Sequence, residues 1–197
     1  HPDDLTFLNR RHSVEQVHEA VSALRSVGIT NLSLDLIYGL PRQTLKRWEA
    51  SIESFLALSI PHLSAYHLIY EEGTALTKLL EQGKVQAVSE EESLTFFQLL
   101  IDRLKAAGYE HYEISNFALP GCHARHNTGY WQGDPYLGFG PSAHSYDGGR
   151  RRSFNVPSLT AYIKGMLSGK RDYSLEILTD EELQHEYIMT RLRTQWG

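Results

Sequence analysis

The sequence predicts an α/β fold built on parallel strands, and three observations carry that expectation. Between Ser13 and Phe117, helical and strand patterns follow one another as helix, strand, helix, strand, helix, helix, strand. No two-residue hairpin turn separates the strand-like runs, and connections that long suit crossovers between parallel strands in a barrel or doubly wound sheet. The 41% hydrophobic and 22% charged content of the 197 residues is that of an ordinary globular chain with a core to bury.

Each element has a local reason. Residues 1–12 are polar and mixed, carrying Phe7-Leu8 and Arg10-Arg11. Ser13 heads a helix, with Gln16 placed to complete a capping box. Val14, Val17, Val21 and Leu24 share one face of it, and Gly28 supplies the stop. Leu32 to Tyr38 reads as a strand in which Leu32, Leu34 and Leu36 face one way and Ser33, Asp35 and Ile37 the other. Gly39-Leu40-Pro41 breaks it. Thr44 opens a helix striped with Leu45, Trp48, Ile52 and Phe55, and Leu63 to Tyr70 forms the next strand. A turn at Glu71-Glu72-Gly73 leads to a short helix around Leu76 to Leu80. Ser89 with Glu92 caps a long helix that Gly108 ends, and Tyr109 to Phe117 reads as one further strand. Beyond it the alternation lapses into an aromatic, glycine-rich region over 118–157. A short helix from Ser158 to Leu167 follows, then a final helix capped at Thr179-Asp180-Glu181-Glu182.

Composition excludes several classes. The formal net charge of −5 argues against a general nucleic-acid surface, and Arg150-Arg151-Arg152 reads as a solvated loop. No apolar run has the length of a membrane span. Cys122 is the sole cysteine, so no internal disulfide forms, which suits a reducing, cytoplasmic setting. The chain starts at His1-Pro2 without methionine and stops just after a helical pattern, as an excerpt of something longer would.

Two groups of residues are candidates for chemistry. Asp35 places a carboxylate in an otherwise apolar strand near its C-terminal end, where parallel α/β folds bind ligands. It either accepts hydrogen bonds from a ribose or pairs with a neighbouring arginine. The second group is His126-Asn127-Thr128-Gly129-Tyr130-Trp131, which continues into Pro135 to Tyr146. No helical or strand period runs through this stretch, and it reads as a loop that binds a ligand or packs on the core. Cys122, His123 and His126 lack the spacing of a zinc site. A single axial imidazole from His126 would suffice for haem, with Tyr130 and Trp131 lending flat surface. His144 is either a spare ligand or a hydrogen-bonding loop histidine. Gly138-Phe139-Gly140-Pro141 lacks the lysine of a phosphate loop.

Several motifs in order resemble the oxygen-independent coproporphyrinogen III oxidase family of radical S-adenosylmethionine (SAM) proteins. They are Phe7-Leu8-Asn9-Arg10-Arg11-His12 and Asp35 to Pro41 followed by Gln43-Thr44. Tyr112 to Ala118, His126-Asn127-x-x-Tyr130-Trp131 and Tyr136 to His144 are similar to a haem-chaperone branch of that family. The resemblance implies the second half of a partial (β/α)6 TIM-like barrel over 1–117, a post-barrel insertion over 118–178, and the start of a helical C-terminal domain over 179–197. It places the contact to the SAM carboxylate on Arg10 and that to the ribose hydroxyls on Asp35. It assigns haem binding to His126, Asn127, Tyr130 and Trp131, with His126 on the iron.

The departure from the family is the missing CxxxCxxC loop. A [4Fe–4S] cluster would belong to a longer parent, and this chain alone is not expected to cleave SAM reductively. The resemblance therefore implies a haem-trafficking chaperone, with haem, SAM and a haem-accepting protein as partners. The competing readings are a coproporphyrinogen III oxidase of haem biosynthesis and an unrelated α/β barrel holding a small phosphorylated ligand. A half barrel leaves a sheet edge uncovered, which predicts oligomerisation or low stability.

Overall fold

The computed structural model describes all of residues 1–197, which separate into two compact units, His1–His123 and Ala124–Gly197. In the first unit, α1 (Pro2–Phe7) falls in the polar, mixed stretch over 1–12; proline near the helix start and Asp3 and Asp4 in the first turn favour it. The capping box of α2 (Val14–Ser26) forms as expected: Ser13 Oγ accepts the Gln16 N–H at 3.3 Å and Gln16 Oε1 accepts the Ser13 N–H at 2.9 Å. Strand β1 (Ser33–Tyr38) leads to α3 (Leu45–Ala57), capped by Thr44, and then to β2 (His62–His67). After α4 (Ala75–Glu81), the Ser89/Glu92 box starts α5 (Glu90–Ala106), which precedes β3 (Glu110–Glu113) and β4 (Asn116–Ala118).

These strands form one sheet in the order β1-β2-β4-β3. β1 and β2 are parallel, in register from Ser33 opposite His62 to Tyr38 opposite His67. The expectation of a single strand from Tyr109 to Phe117 is corrected. The chain reverses between Glu113 and Asn116, so β3 and β4 pair antiparallel, and β4 also runs antiparallel to β2. Glu113 Oε1 accepts the Ser115 N–H at 3.2 Å and also the Asn116 side-chain amide. Those bonds hold a turn that contains neither Gly nor Pro and so carries no sequence signal.

One face of the sheet packs on α3 and α5. Leu34, Leu36, Leu63, Ala65 and Phe117 meet Trp48, Ile52, Phe55, Phe96, Leu100 and Leu104. Each fully buried large apolar side chain contributes about 1.5–3 kcal/mol. Trp48 stacks on Tyr38 with ring centroids 5.3 Å apart, and its indole N–H donates to the Phe96 carbonyl at 2.9 Å. The same burial pushes the Tyr38 phenol up to about 12.

In the second unit, α6 (Arg125–Gln132) precedes β5 (His144–Tyr146) and β6 (Arg151–Asn155), followed by α7 (Leu159–Leu167), β7 (Tyr173–Ile177) and α8 (Asp180–Leu192). The three strands make an antiparallel sheet in the order β5-β6-β7. Residues 118–157 are thus not one aromatic loop. Arg151 and Arg152 likewise lie in a strand: Arg152 pairs with Glu186 at 2.7 Å and Glu176 at 3.4 Å, and Arg150 with Asp180. The Arg152–Glu186 pair ties α8 to β6, and the compact units divide at 123/124 where the sequence suggested 117/118 and 178/179. No helix is long and apolar enough to cross a membrane.

Candidate functional site

Two constellations emerge, one in each unit. In the first unit, Asp35 is exposed on β1, which is the edge strand of its sheet, so it carries none of the desolvation cost that a buried carboxylate would. Arg10 follows α1 after Asn9, whose positive φ of 51° turns the chain, and its N–H donates to the Leu5 carbonyl at 2.8 Å. Arg10 and Asp35 line one cavity of about 240 Å³ together with His12, Leu40 and Trp48. The structure therefore brings the two residues expected to meet SAM to a single groove.

Asp35 heads a polar row that the sequence reading did not single out. Asp35 is the register partner of Ser64, Ser64 of Asn116, and Asn116 of Glu113, so the four side chains share the face opposite the apolar core. Asn116 and Glu113 are buried, and Asn116 Oδ1 lacks a hydrogen-bond partner. The available signal was Glu113-x-x-Asn116, two polar residues in an apolar run. Below that row, the Ser33 hydroxyl lies 2.7 Å from His62 Nδ1 and the Tyr112 hydroxyl 2.7 Å from Nε2. Burial pushes His62 below the usual imidazole range, and the nearby Asp35 charge opposes that shift.

In the second unit, the stretch from His126 to Trp131 is helical, which corrects the expectation of an irregular loop. It lacks the usual helix signals: Ala124 at the N-cap makes no side-chain cap, and Asn127, Thr128 and Gly129 are poor helix formers. The helix has a functional consequence. Residues i and i+4 share a face, so the exposed His126 imidazole meets the Tyr130 ring edge-on, with centroids 4.8 Å apart. Tyr130 meets Tyr136 at 4.7 Å, and Tyr136 meets Tyr146 at 6.2 Å. Tyr130, Trp131, Tyr136, Tyr146 and Tyr187 wall a cavity of about 470 Å³, to which Arg152, Glu186 and Arg191 add charge. Trp131 also lies under the Arg193 guanidinium at 5.3 Å. His126 and Asn127 stand beside this cavity and do not line it.

The remaining candidates are placed elsewhere. His123 pairs with Glu110 at 2.6 Å and stacks on Tyr112, while His144 stacks on Phe154. Cys122 is partly buried. No group of three or more His, Cys, Asp or Glu side chains is arranged to hold a metal ion. An exposed imidazole beside aromatic walls fits the demands of haem, and the Arg10–Asp35 groove fits a ligand with a carboxylate and hydroxyls. One thiol does not fit a cluster held by three.

The haem chaperone HemW of Bacillus subtilis is 35% identical over 194 residues, covering 98% of this chain and 51% of that protein. HemW of Synechocystis is 40% identical over 147 residues, covering 75% of the chain and 36% of the relative. A zebrafish relative, radical S-adenosyl methionine domain-containing protein 1, mitochondrial, is 33% identical over 203 residues, covering 99% of the chain and 46% of that protein. Among solved structures, the radical SAM enzyme coproporphyrinogen III oxidase (HemN) of Escherichia coli superposes with a TM-score of 0.77 at 22% identity, which speaks to the fold. It is matched over 98% of this chain and 47% of its own. No family model matches. The chain belongs to the radical SAM, oxygen-independent coproporphyrinogen III oxidase-like family. Within that family its curated relatives include proteins named haem chaperone HemW, of which it spans about half the length.

Proposed function

We propose that this chain is the haem-binding half of a haem chaperone. His126 supplies an axial imidazole, and Tyr130 and Trp131 supply a flat aromatic wall. Asn127, one position along the same helix and partly buried, helps to set the orientation of that face. The single observation that carries the reading is α6 itself, which sets an exposed histidine and a tyrosine on one face beside an aromatic cavity. A chaperone must release its cargo, and an exposed ligand on a short helix suits exchange better than an enclosed pocket would. In the first unit, Arg10 is positioned for the carboxylate and Asp35 for the ribose hydroxyls of SAM. When bound, SAM would bring the family's redox chemistry only alongside a cluster held by residues outside this chain. An acceptor protein would then take haem from the second unit.

The test is a haem titration followed at the Soret band, with the wild-type chain and His126→Ala in parallel. A saturable shift that weakens at least ~10-fold in the variant supports the reading, since loss of an axial ligand removes at least about 1.4 kcal/mol. Identical curves would send His126 back to a structural role and end the proposal.

A further inference from the structure

We infer that Arg191 is a specificity residue of the second-unit cavity and receives a carboxylate of the porphyrin, selecting haem that carries free propionates. The inference rests on the haem reading above. Four charged residues line the cavity: Asp134, Arg152, Glu186 and Arg191. Asp134 is exposed at its rim. Arg152 and Glu186 neutralise each other through two hydrogen bonds, at 2.7 and 2.9 Å, and Arg152 also reaches Glu176.

Arg191 differs from the other three. Its guanidinium is part-buried and has no carboxylate partner. One nitrogen donates to the Trp196 carbonyl at 3.3 Å, and the group lies over the Tyr187 ring at 5.1 Å. A guanidinium has five N–H donors in a fixed fork that matches a carboxylate, so most of its donors remain for a ligand. The contact with the Tyr187 ring holds the guanidinium beside the aromatic wall and limits the freedom lost on binding.

The ligand chemistry follows from what surrounds that cation. Tyr130, Tyr136 and Tyr146 offer apolar ring surface from the His126 side into the cavity, and a macrocycle bound at His126 is wider than one tyrosine ring. Its edge would extend over Tyr130 into the cavity and present its carboxylates to Arg191. An iron porphyrin with esterified propionates offers the same plane and the same metal without the anion.

The experiment compares iron protoporphyrin IX with its dimethyl ester on the wild-type chain, Arg191→Gln, Arg191→Lys and His126→Ala. Affinities come from Soret titrations, and circular dichroism monitors α8. Arg191→Gln is expected to weaken haem binding ~10-fold and to leave the ester unchanged, in line with the loss of one charge-assisted hydrogen bond. Arg191→Lys should recover part of the loss. Equal haem affinity in Arg191→Gln and wild type overturns the inference. Equal weakening of haem and ester also overturns it, because it marks Arg191 as a support for the chain end at Trp196. Loss in His126→Ala with no change in Arg191→Gln leaves the haem reading standing and removes this one. Absence of saturable binding in the wild type removes both.

Discussion

The two units are held together by different means. In His1–His123, a sheet face lies on two helices, and sixteen of the seventeen buried apolar residues belong here; Leu178 is the exception. In Ala124–Gly197, three short antiparallel strands carry exposed apolar side chains instead, Tyr173, Leu175 and Ile177 among them, with Phe139 84% and Leu167 85% exposed. Polar clamps stabilise that second unit. Asn155 Nδ2 donates to the Gly140 carbonyl at 2.8 Å, Asn155 Oδ1 accepts from Arg171 Nε at 2.6 Å, and the Tyr162 hydroxyl accepts the Gly140 N–H at 3.1 Å. A scaffold built on apolar packing is rigid, whereas a site built on hydrogen bonds and rings can open to a planar guest at smaller cost. That contrast is consistent with the proposal of a SAM groove in one unit and an exchangeable haem surface in the other.

The comparison is sharpened by asking what breaks each unit. The first should fail by loss of atoms. Trp48→Ala leaves a cavity between α3, β1 and α5 and removes the indole hydrogen bond to the Phe96 carbonyl, at a cost of about 3–5 kcal/mol. Urea unfolding of the chain checks this, and a loss under about 1 kcal/mol would contradict the described core. The second unit should fail by addition of atoms. A Cβ on Gly138 would overlap the His144 carbonyl oxygen, and the Gly138 N–H is already given to Ser145 Oγ at 3.0 Å. Gly138→Ala is expected to cost about 1–3 kcal/mol. It should raise amide exchange in β5 and β6 while leaving β1 and β2 protected. The reverse pattern would refute the division of labour.

The smallest effect is on pH dependence near neutrality, and it rests on two histidines of the first unit. Burial pushes both His62 and His111 below the ordinary imidazole range of about 6.5. A depressed folded-state value means that the unfolded chain binds protons first. Stability is therefore complete above about pH 6.5 and falls as the pH drops from there toward the depressed values. His62→Gln should flatten part of that slope in denaturation midpoints between pH 7 and 5. An unchanged slope would assign the effect to other groups.

The particular elements show where the sequence was legible. Helices α2, α3, α5 and α8 announced themselves because each cap is a local contract: Ser13 with Gln16, Thr44 with Arg47, Ser89 with Glu92, and Thr179 with Glu182 all lie within four residues. The hairpin between β3 and β4 did not, because its turn is held by the Glu113 side chain where a glycine would have signalled it. Helix α6 did not either, since it lacks a side-chain cap and carries Asn127, Thr128 and Gly129 at its centre.

By itself the sequence determined the α/β class, the capped helices, the apolar stripes of the core and the motifs that carry the family resemblance. All of these depend on spacing within a few turns of chain. Only the tertiary structure decided that Arg10 and Asp35 share a groove. It also set Asp35, Ser64, Asn116 and Glu113 in one row and left Arg191 without a carboxylate beside an aromatic cavity. Arg10 and Asp35 are 25 positions apart and Asp35 and Asn116 are 81 apart, and no local period records a distance that is created when sheet register and helix packing close around it.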